Sequence, residues 1–112
     1  MASIKRIYDP AEESDGYRVL VDRLWPRGLK REDAAIDDWA KEIAPSASLR
    51  EWFGHKPERW AAFEKKYRAE LQEGAAADAL AALKKRAGRV TLLTATRDLD
   101  HCHARALQRL IG

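Results

Sequence analysis

The pattern of apolar and polar residues predicts three β-strands. Ile4 to Asp9 is a short strand, and the Asp9-Pro10 pair breaks it. Tyr17 to Leu24 and the segment RVTLLTAT (residues 89–96) carry apolar residues at consecutive positions, which indicates that both faces of each strand are covered. We therefore expect these two strands in the interior of a sheet.

Apolar residues three and four positions apart predict helices between the second and third strands. The first helix is predicted over residues 29–44 and ends at Pro45; its spaced apolar residues are Ile36, Trp39, Ala40 and Ile43. A short second helix follows, because Ser48 with Glu51 three residues later matches a capping box, and Gly54 ends it.

The clearest helix of the chain opens at Pro57 and closes at Gly74. Its large apolar side chains lie on one stripe, which favours core packing over an aromatic nucleic-acid platform; they are Trp60, Phe63, Tyr67 and Leu71. An alanine-rich helix over residues 75–87 is closed by Gly88, and residues 97–112 form the last helix.

Strands and helices alternate along the 112 residues, which predicts a single α/β domain over residues 1–112. We expect a three-layer sandwich in which helices flank a small, mainly parallel sheet. The link between the first two strands is short, so an antiparallel arrangement of that pair stays open.

Composition places the chain among ordinary globular proteins. Hydrophobic residues make up 46% and charged residues 35%, which argues against disorder. The 21 Lys and Arg and the 18 Asp and Glu are interspersed, and the net charge of +3 favours a mixed solvated surface. The single cysteine, Cys102, excludes an internal disulfide and fits a reducing compartment. Since no apolar run approaches membrane length, we expect a cytoplasmic protein without membrane contact.

Charged residues follow both interior strands at their carboxyl ends. The segment VDRLWPRG (residues 21–28) contributes Asp22, Arg23, Trp25 and Arg27, and the segment TATRD (residues 94–98) contributes Arg97 and Asp98. Open α/β sheets bind ligands where the carboxyl ends of parallel strands meet. Arginines beside the start of a helix suit a phosphate, sulfate or carboxylate. The sequence therefore predicts an anion site in which these side chains bind the ligand and Trp25 covers it.

Acid–base chemistry at this site is assigned to Asp22 and His101. His101 follows Asp98 by one helical turn, and that spacing orients an imidazole. A structural alternative stays open, in which Arg23 and Arg97 pair with Asp22 and Asp98 to brace the loops. In that alternative Asp98 also caps the last helix.

The run HCH at residues 101–103 predicts neither a nucleophile nor a metal site. A phosphatase-type loop needs an arginine after His-Cys and five further residues, but Gln108 stands there. Cys102 shares a helical stripe with apolar residues and is predicted to be buried. Histidines two apart on a helix point away from each other, so no metal is predicted. No glycine-rich loop is present, and no cofactor is predicted.

Longer motifs make the chain similar to a known family. The segments SDGYRVLVDRLWPRGL, LREWF, ERWAAFEKKYRAEL and VTLLTATRD resemble the YeaO-like branch of the domain-of-unknown-function 488 family, over almost the whole chain. The resemblance implies a small single-domain α/β bacterial protein and supplies no activity. Asp22, Arg23, Trp25, Arg27, Arg97, Asp98 and His101 match the family pattern, whereas Thr94 and Cys102 depart from it.

Three classes of function are consistent with these residues. We expect first a protein that binds, or acts on, a small anionic ligand such as a phosphate-bearing nucleotide. A nucleic-acid-binding module is the alternative and requires a convex basic face. A protein-interaction domain without chemistry requires an exposed apolar patch. No residue pattern assigns an oligomeric state or decides between an enzyme and a binder.

Overall fold

Residues 2–112 are described by a computed structural model, in which four strands form one sheet. The strands are β1 (Ala2–Arg6), β2 (Tyr17–Leu20), β3 (Asp38–Trp39) and β4 (Val90–Thr94). Their order across the sheet is β1-β4-β2-β3, and every neighbouring pair is parallel. An antiparallel pairing of the first two strands is therefore excluded, because β4 lies between them.

Helices cover one face of this sheet. They are α1 (Ala47–Phe53), α2 (Trp60–Glu70), α3 (Gly74–Lys85) and α4 (His103–Ile111). The main core lies between them and the sheet, where Val19, Val21 and Leu92 pack with Phe63 and Tyr67. In the described part of the chain, none of the helices has both the length and the apolar composition needed to cross a membrane.

The opposite face of the sheet is covered by the irregular segment that follows β2. Leu20 and Leu93 alternate with the residues that face the helices, as the pleat of a strand requires. Their cover comes from Trp25, Leu29, Ile36 and Trp39. Both interior strands are thus buried on two faces, as their apolar runs predicted, and the predicted three-layer α/β fold is confirmed.

The helix predicted over residues 29–44 is wrong. This segment contains two short 3-10 turns, at Arg31–Asp33 and Lys41–Ile43, with β3 between them. This part of the backbone pairs with the edge of β2 that faces away from β4. Asp37 N donates to Arg18 O at 2.7 Å, and Ala40 N donates to Leu20 O at 2.8 Å. Pairing with the sheet therefore overrides the helical spacing of the apolar residues.

Several element boundaries also differ from the predicted ones. Ser46, not Ser48, caps α1, since the Ser46 side chain accepts a hydrogen bond from the backbone N–H of Leu49. Gly54 ends α1 in the left-handed conformation, as predicted. Gly74 begins α3, and α2 has already ended at Glu70.

The last helix begins six residues later than predicted, at His103 instead of residue 97. Asp98 causes the delay, because its Oδ1 accepts hydrogen bonds from the backbone N–H groups of Asp100 and His101 and holds them in a turn. Asp98 therefore caps this turn and not the helix, and the position before α4 is taken by Cys102.

Candidate functional site

A cavity of about 420 Å³ lies at the carboxyl ends of β2 and β4. The segment from Asp22 to Arg27 leaves β2 along one side of it, and Thr94 to Thr96 leaves β4 beside that segment. The remaining wall comes from α1, α2 and the residues that precede them, together with the start of α4. The two polar strand ends singled out in the sequence therefore meet at this cavity, at the edge of a parallel sheet where ligands commonly bind.

Asp22 connects the two strand ends. Its Oδ1 accepts a hydrogen bond from the Thr94 hydroxyl at 2.7 Å, and its Oδ2 accepts one from the Ala95 N–H at 2.8 Å. The imidazole Nε2 of His103 lies 3.1 Å from Oδ1 of Asp22 and 3.1 Å from the carbonyl oxygen of Val21. Burial opposes ionisation of Asp22, but these donors outweigh it and hold the pKa of the carboxyl below its ordinary value.

His103 is anchored from the helix side as well. Tyr67 of α2 stands edge-on to its ring, with the ring centroids 6.3 Å apart. The Tyr67 hydroxyl donates a short hydrogen bond to the carbonyl oxygen of Ile43. Burial raises the pKa of Tyr67 well above its ordinary value, so this hydroxyl remains a donor at any physiological pH.

Cationic groups outnumber acidic ones around the cavity. Arg23, Arg27 and Arg50 line it, and Asp22 is the one carboxylate among the lining residues that the structure describes. All three histidines of the chain also line it: His55, His101 and His103. Among the described lining residues, three guanidinium groups face one carboxylate, so the cavity carries a net positive charge.

The three arginines differ in how they are held. The Nη2 of Arg23 donates to the carbonyl oxygen of Ala44 at 3.0 Å, which ties the loop after β2 to the segment before α1. Within residues 2–112, the side chains of Arg27 and Arg50 make neither a hydrogen bond nor a salt bridge, and both are exposed. Their guanidinium groups are therefore available to a ligand.

The inner wall of the cavity is apolar. Phe53 of α1 and Phe63 of α2 are stacked, with ring centroids 4.4 Å apart, and both line the cavity together with Ala44 and Pro45. At the outer side Leu24 lines the cavity while it is 66% exposed. The site thus combines arginines with apolar surface, which is the usual composition of a small-molecule pocket.

Five of the residues predicted for the site line the cavity in loops: Asp22, Arg23, Trp25, Arg27 and His101. Trp25 is half-buried; its Nε1 donates to the carbonyl oxygen of Leu29, and Arg31 packs over its ring at 4.7 Å. Trp25 therefore forms part of the wall on the side of the sheet away from the helices.

Arg97 and Asp98 lie outside the cavity wall. Arg97 is exposed, and Asp98 pairs through its Oδ2 with the Nδ1 of His101 at 2.9 Å. This hydrogen bond is the main reason why the pKa of Asp98 is lowered. The pairing of Asp98 with His101 was expected from their spacing, whereas neither Arg23 nor Arg97 pairs with Asp22 in the described part of the chain.

The wall also holds residues that the sequence did not assign to the anion site, above all His103, Arg50 and Phe53. His101 and His103 both reach the cavity because α4 begins only at His103, so the helical spacing that separates their directions does not apply. Arg50 and Phe53 belong to the LREWF segment that supported the family resemblance. That resemblance was the one signal in the sequence that could have drawn attention to them.

Cys102 is buried at the cavity wall. Its side chain is 4% exposed, and its Sγ lies 3.6 Å from the carbonyl oxygen of Leu99. Burial raises the pKa of the Cys102 thiol above its ordinary value, which disfavours the thiolate. Across residues 2–112, no three His, Cys, Asp or Glu side chains are grouped as metal ligands.

The fold and the site together define a class of protein: a parallel α/β domain with a cationic cavity at the carboxyl ends of its central strands. Comparison with known families gives a match to the profile described as the inactive DUF488-N3 subclade, over residues 1–112. The chain therefore belongs to the family of domain of unknown function 488, as its motifs predicted.

Curated relatives cover nearly the same length. Uncharacterized protein YeaO of Escherichia coli (strain K12) is 49% identical over 107 residues, which are 92% of this chain and 90% of that protein. Uncharacterized protein Rv3073c of Mycobacterium tuberculosis (strain H37Rv) is 44% identical over 111 residues, which are 97% of this chain and 92% of that protein. No solved structure matches the chain significantly.

Proposed function

We propose that this protein binds a small anionic molecule in the cavity between β2, β4 and α1, without catalysing a reaction on it. One observation carries the proposal: among the lining residues that the structure describes, three arginines stand against a single carboxylate, Asp22, whose oxygens are already engaged. Arg27 and Arg50 are the available charges, and each supplies a planar fork that suits a phosphate or a carboxylate.

Binding without catalysis is favoured by the state of the reactive groups. Asp22 is ionised, so it has no proton to donate at neutral pH, and both of its oxygens are engaged by Thr94, Ala95 and His103, which makes it less available as a general base. The Cys102 thiol is buried and disfavoured as a nucleophile. The family description, with its word "inactive", agrees with this proposal. This proposal leaves out the acid–base role that the sequence predicted for Asp22 and His101, which is an untested prediction.

Titration of the isotopically labelled protein with inorganic phosphate tests the proposal. We expect chemical-shift changes that are concentrated at the cavity residues and saturate with phosphate. Arg50→Ala should weaken phosphate binding by about 1.5–3 kcal/mol, the scale of a hydrogen bond to a charged group. Arg27→Ala should weaken it too, and Arg27→Lys should restore it only in part if the contact is bidentate.

The matched control is Arg68→Ala, since Arg68 is an exposed arginine of α2 outside the cavity wall. This change should leave phosphate affinity as it is. Equal weakening by Arg50→Ala and Arg68→Ala would mean that phosphate responds to overall charge and not to the cavity, and the proposal would then be abandoned.

A further inference from the structure

Leu24 is an apolar side chain whose position packing does not explain. It lies at the cavity between Arg23 and Trp25 and remains 66% exposed. Its two neighbours are fixed by hydrogen bonds to Ala44 and Leu29, so the loop holds Leu24 at the edge of the cavity. A single exposed leucine on an open surface would mean little, but this one borders a cavity whose inner wall is aromatic.

The inner wall faces the same space from the helix side. Phe53 and Phe63 are both buried, and their rings are stacked at an interplanar angle of 28°. Apolar surface therefore lies at the outer edge and at the inner wall, with the exposed arginines beside it. A bare inorganic anion would satisfy the arginines and leave Leu24, together with the small part of the aromatic wall that reaches the cavity, against water.

We infer that the ligand of this cavity is an aromatic anion, in which a planar ring carries a phosphate or carboxylate group. The inference rests on the proposed function and adds the chemical class of the ligand. The charged group contacts Arg27 and Arg50, while the ring is covered by Leu24 on the open side and by Phe53 and Phe63 on the buried side.

Size and arginine chemistry support a ring over a bare anion or an aliphatic chain. The volume of about 420 Å³ falls within the range of organic-ligand pockets, roughly 300–1,000 Å³, and exceeds the needs of a single phosphate. Guanidinium groups attract the faces of aromatic rings, and this chain already packs Arg31 over Trp25 and Arg59 over Trp52. The arginines of the cavity therefore favour both parts of an aromatic anion.

Titration of the full chain with four probes tests this inference: phenyl phosphate, cyclohexyl phosphate, inorganic phosphate and phenol. We expect phenyl phosphate to bind about tenfold more tightly than inorganic phosphate and than phenol, which is the effect of partly burying one ring beside a charge. It should also bind about threefold more tightly than cyclohexyl phosphate, because only the aromatic ring stacks with a guanidinium.

Leu24→Ser separates the apolar contribution from the electrostatic one. Because Leu24 is exposed, this variant should keep the melting temperature of the parent. It should lower the affinity for phenyl phosphate about threefold to tenfold and leave the affinity for inorganic phosphate unchanged. Arg50→Ala, in contrast, should lower the affinity for both phenyl phosphate and inorganic phosphate.

The possible failures are distinct. Equal affinities for phenyl phosphate and inorganic phosphate, or an unchanged phenyl phosphate affinity in Leu24→Ser, would overturn the aromatic ligand and leave the proposed anion binding in place. Equal affinities for cyclohexyl phosphate and phenyl phosphate would also rule out an aromatic ligand. No binding of any phosphate would end the proposed function itself.

Discussion

Asp22 and His103 are far apart in the sequence, yet Oδ1 of Asp22 lies 3.1 Å from Nε2 of His103. Asp22 leaves the carboxyl end of β2, and His103 is the first residue of α4. The contact fixes the start of the last helix against the edge of the sheet. Asp22 also accepts hydrogen bonds from the Thr94 hydroxyl and the Ala95 N–H, and His103 also contacts the carbonyl oxygen of Val21. Asp22 therefore joins the two strand ends and the last helix at the cavity wall.

Asp22→Asn should lower the free energy of unfolding at neutral pH by about 1–3 kcal/mol, because the amide cannot accept from Ala95, Thr94 and His103 together. The pKa of Asp22 is lowered in the folded protein, so its ionisation stabilises the fold above the unfolded pKa of about 4. This contribution is lost as the pH falls through the folded pKa. Urea unfolding between pH 7 and pH 3 should therefore show the difference between parent and variant shrinking toward acid.

Asp78→Asn is the control for that measurement, since Asp78 is an exposed carboxylate on α3. A variant difference for Asp22→Asn that stays constant down to pH 3 would show that ionisation of Asp22 does not support the fold.

Cys102 should react slowly with iodoacetamide in the native protein at neutral pH, because the thiol is buried and its raised pKa keeps it protonated. Mass spectrometry over time gives the rate, and the same reaction in concentrated urea is the reference. Cys102→Ala should fold at a cost of about 1 kcal/mol. Native labelling as fast as in urea would contradict the burial of this thiol.

Phe63→Ala should destabilise the domain by about 3–5 kcal/mol, since Phe63 is 2% exposed and stacks with Phe53, Trp60 and Tyr67. Chemical denaturation measures the change, and Lys65→Ala on the exposed side of α2 should stay within about 0.5 kcal/mol of the parent. Similar effects of the two changes would argue against the core stripe.

Ser46→Ala should cost about 1–2 kcal/mol of stability. The Ser46 hydroxyl accepts from Leu49 N and donates to Glu70 Oε2 at 2.6 Å, so it caps α1 and ties it to α2. Ser48→Ala, inside the same helix, should change stability by less than about 0.5 kcal/mol. The reverse order of the two effects in thermal unfolding would restore Ser48 as the cap.

Segments with a strong local pattern were predicted correctly. The unbroken apolar runs of β2 and β4 indicated strands covered on both faces, and Val19, Leu20, Leu92 and Leu93 are fully buried. The stripe of Trp60, Phe63, Tyr67 and Leu71 indicated the core-facing side of the long helix. Phe63, Tyr67 and Leu71 are buried, and Trp60 is half-buried and packs against the core. In both cases burial follows from the spacing of residues within one element.

Features that depend on pairing between distant segments were not predictable from spacing. Residues 37–40 bond to the edge of β2 through Arg18 and Leu20, which no local pattern indicates. The side chain of Asp98 delays the last helix, and this shift brings His103 to Asp22. The meeting of the two strand ends was predictable because parallel strands place their carboxyl ends together, whereas Arg50 and Phe53 reach the site from another layer.

The strand order has a consequence for synthesis on the ribosome. β4 is made last but occupies an interior position, where it separates β1 from β2. Until Val90 to Thr94 have emerged, β1 has no strand to pair with among the described residues, and β2 holds β3 through two residue pairs alone. The sheet therefore cannot be completed before β4 has emerged, and a nascent chain that stops before β4 exposes the edges of β1 and β2 to pairing with other chains.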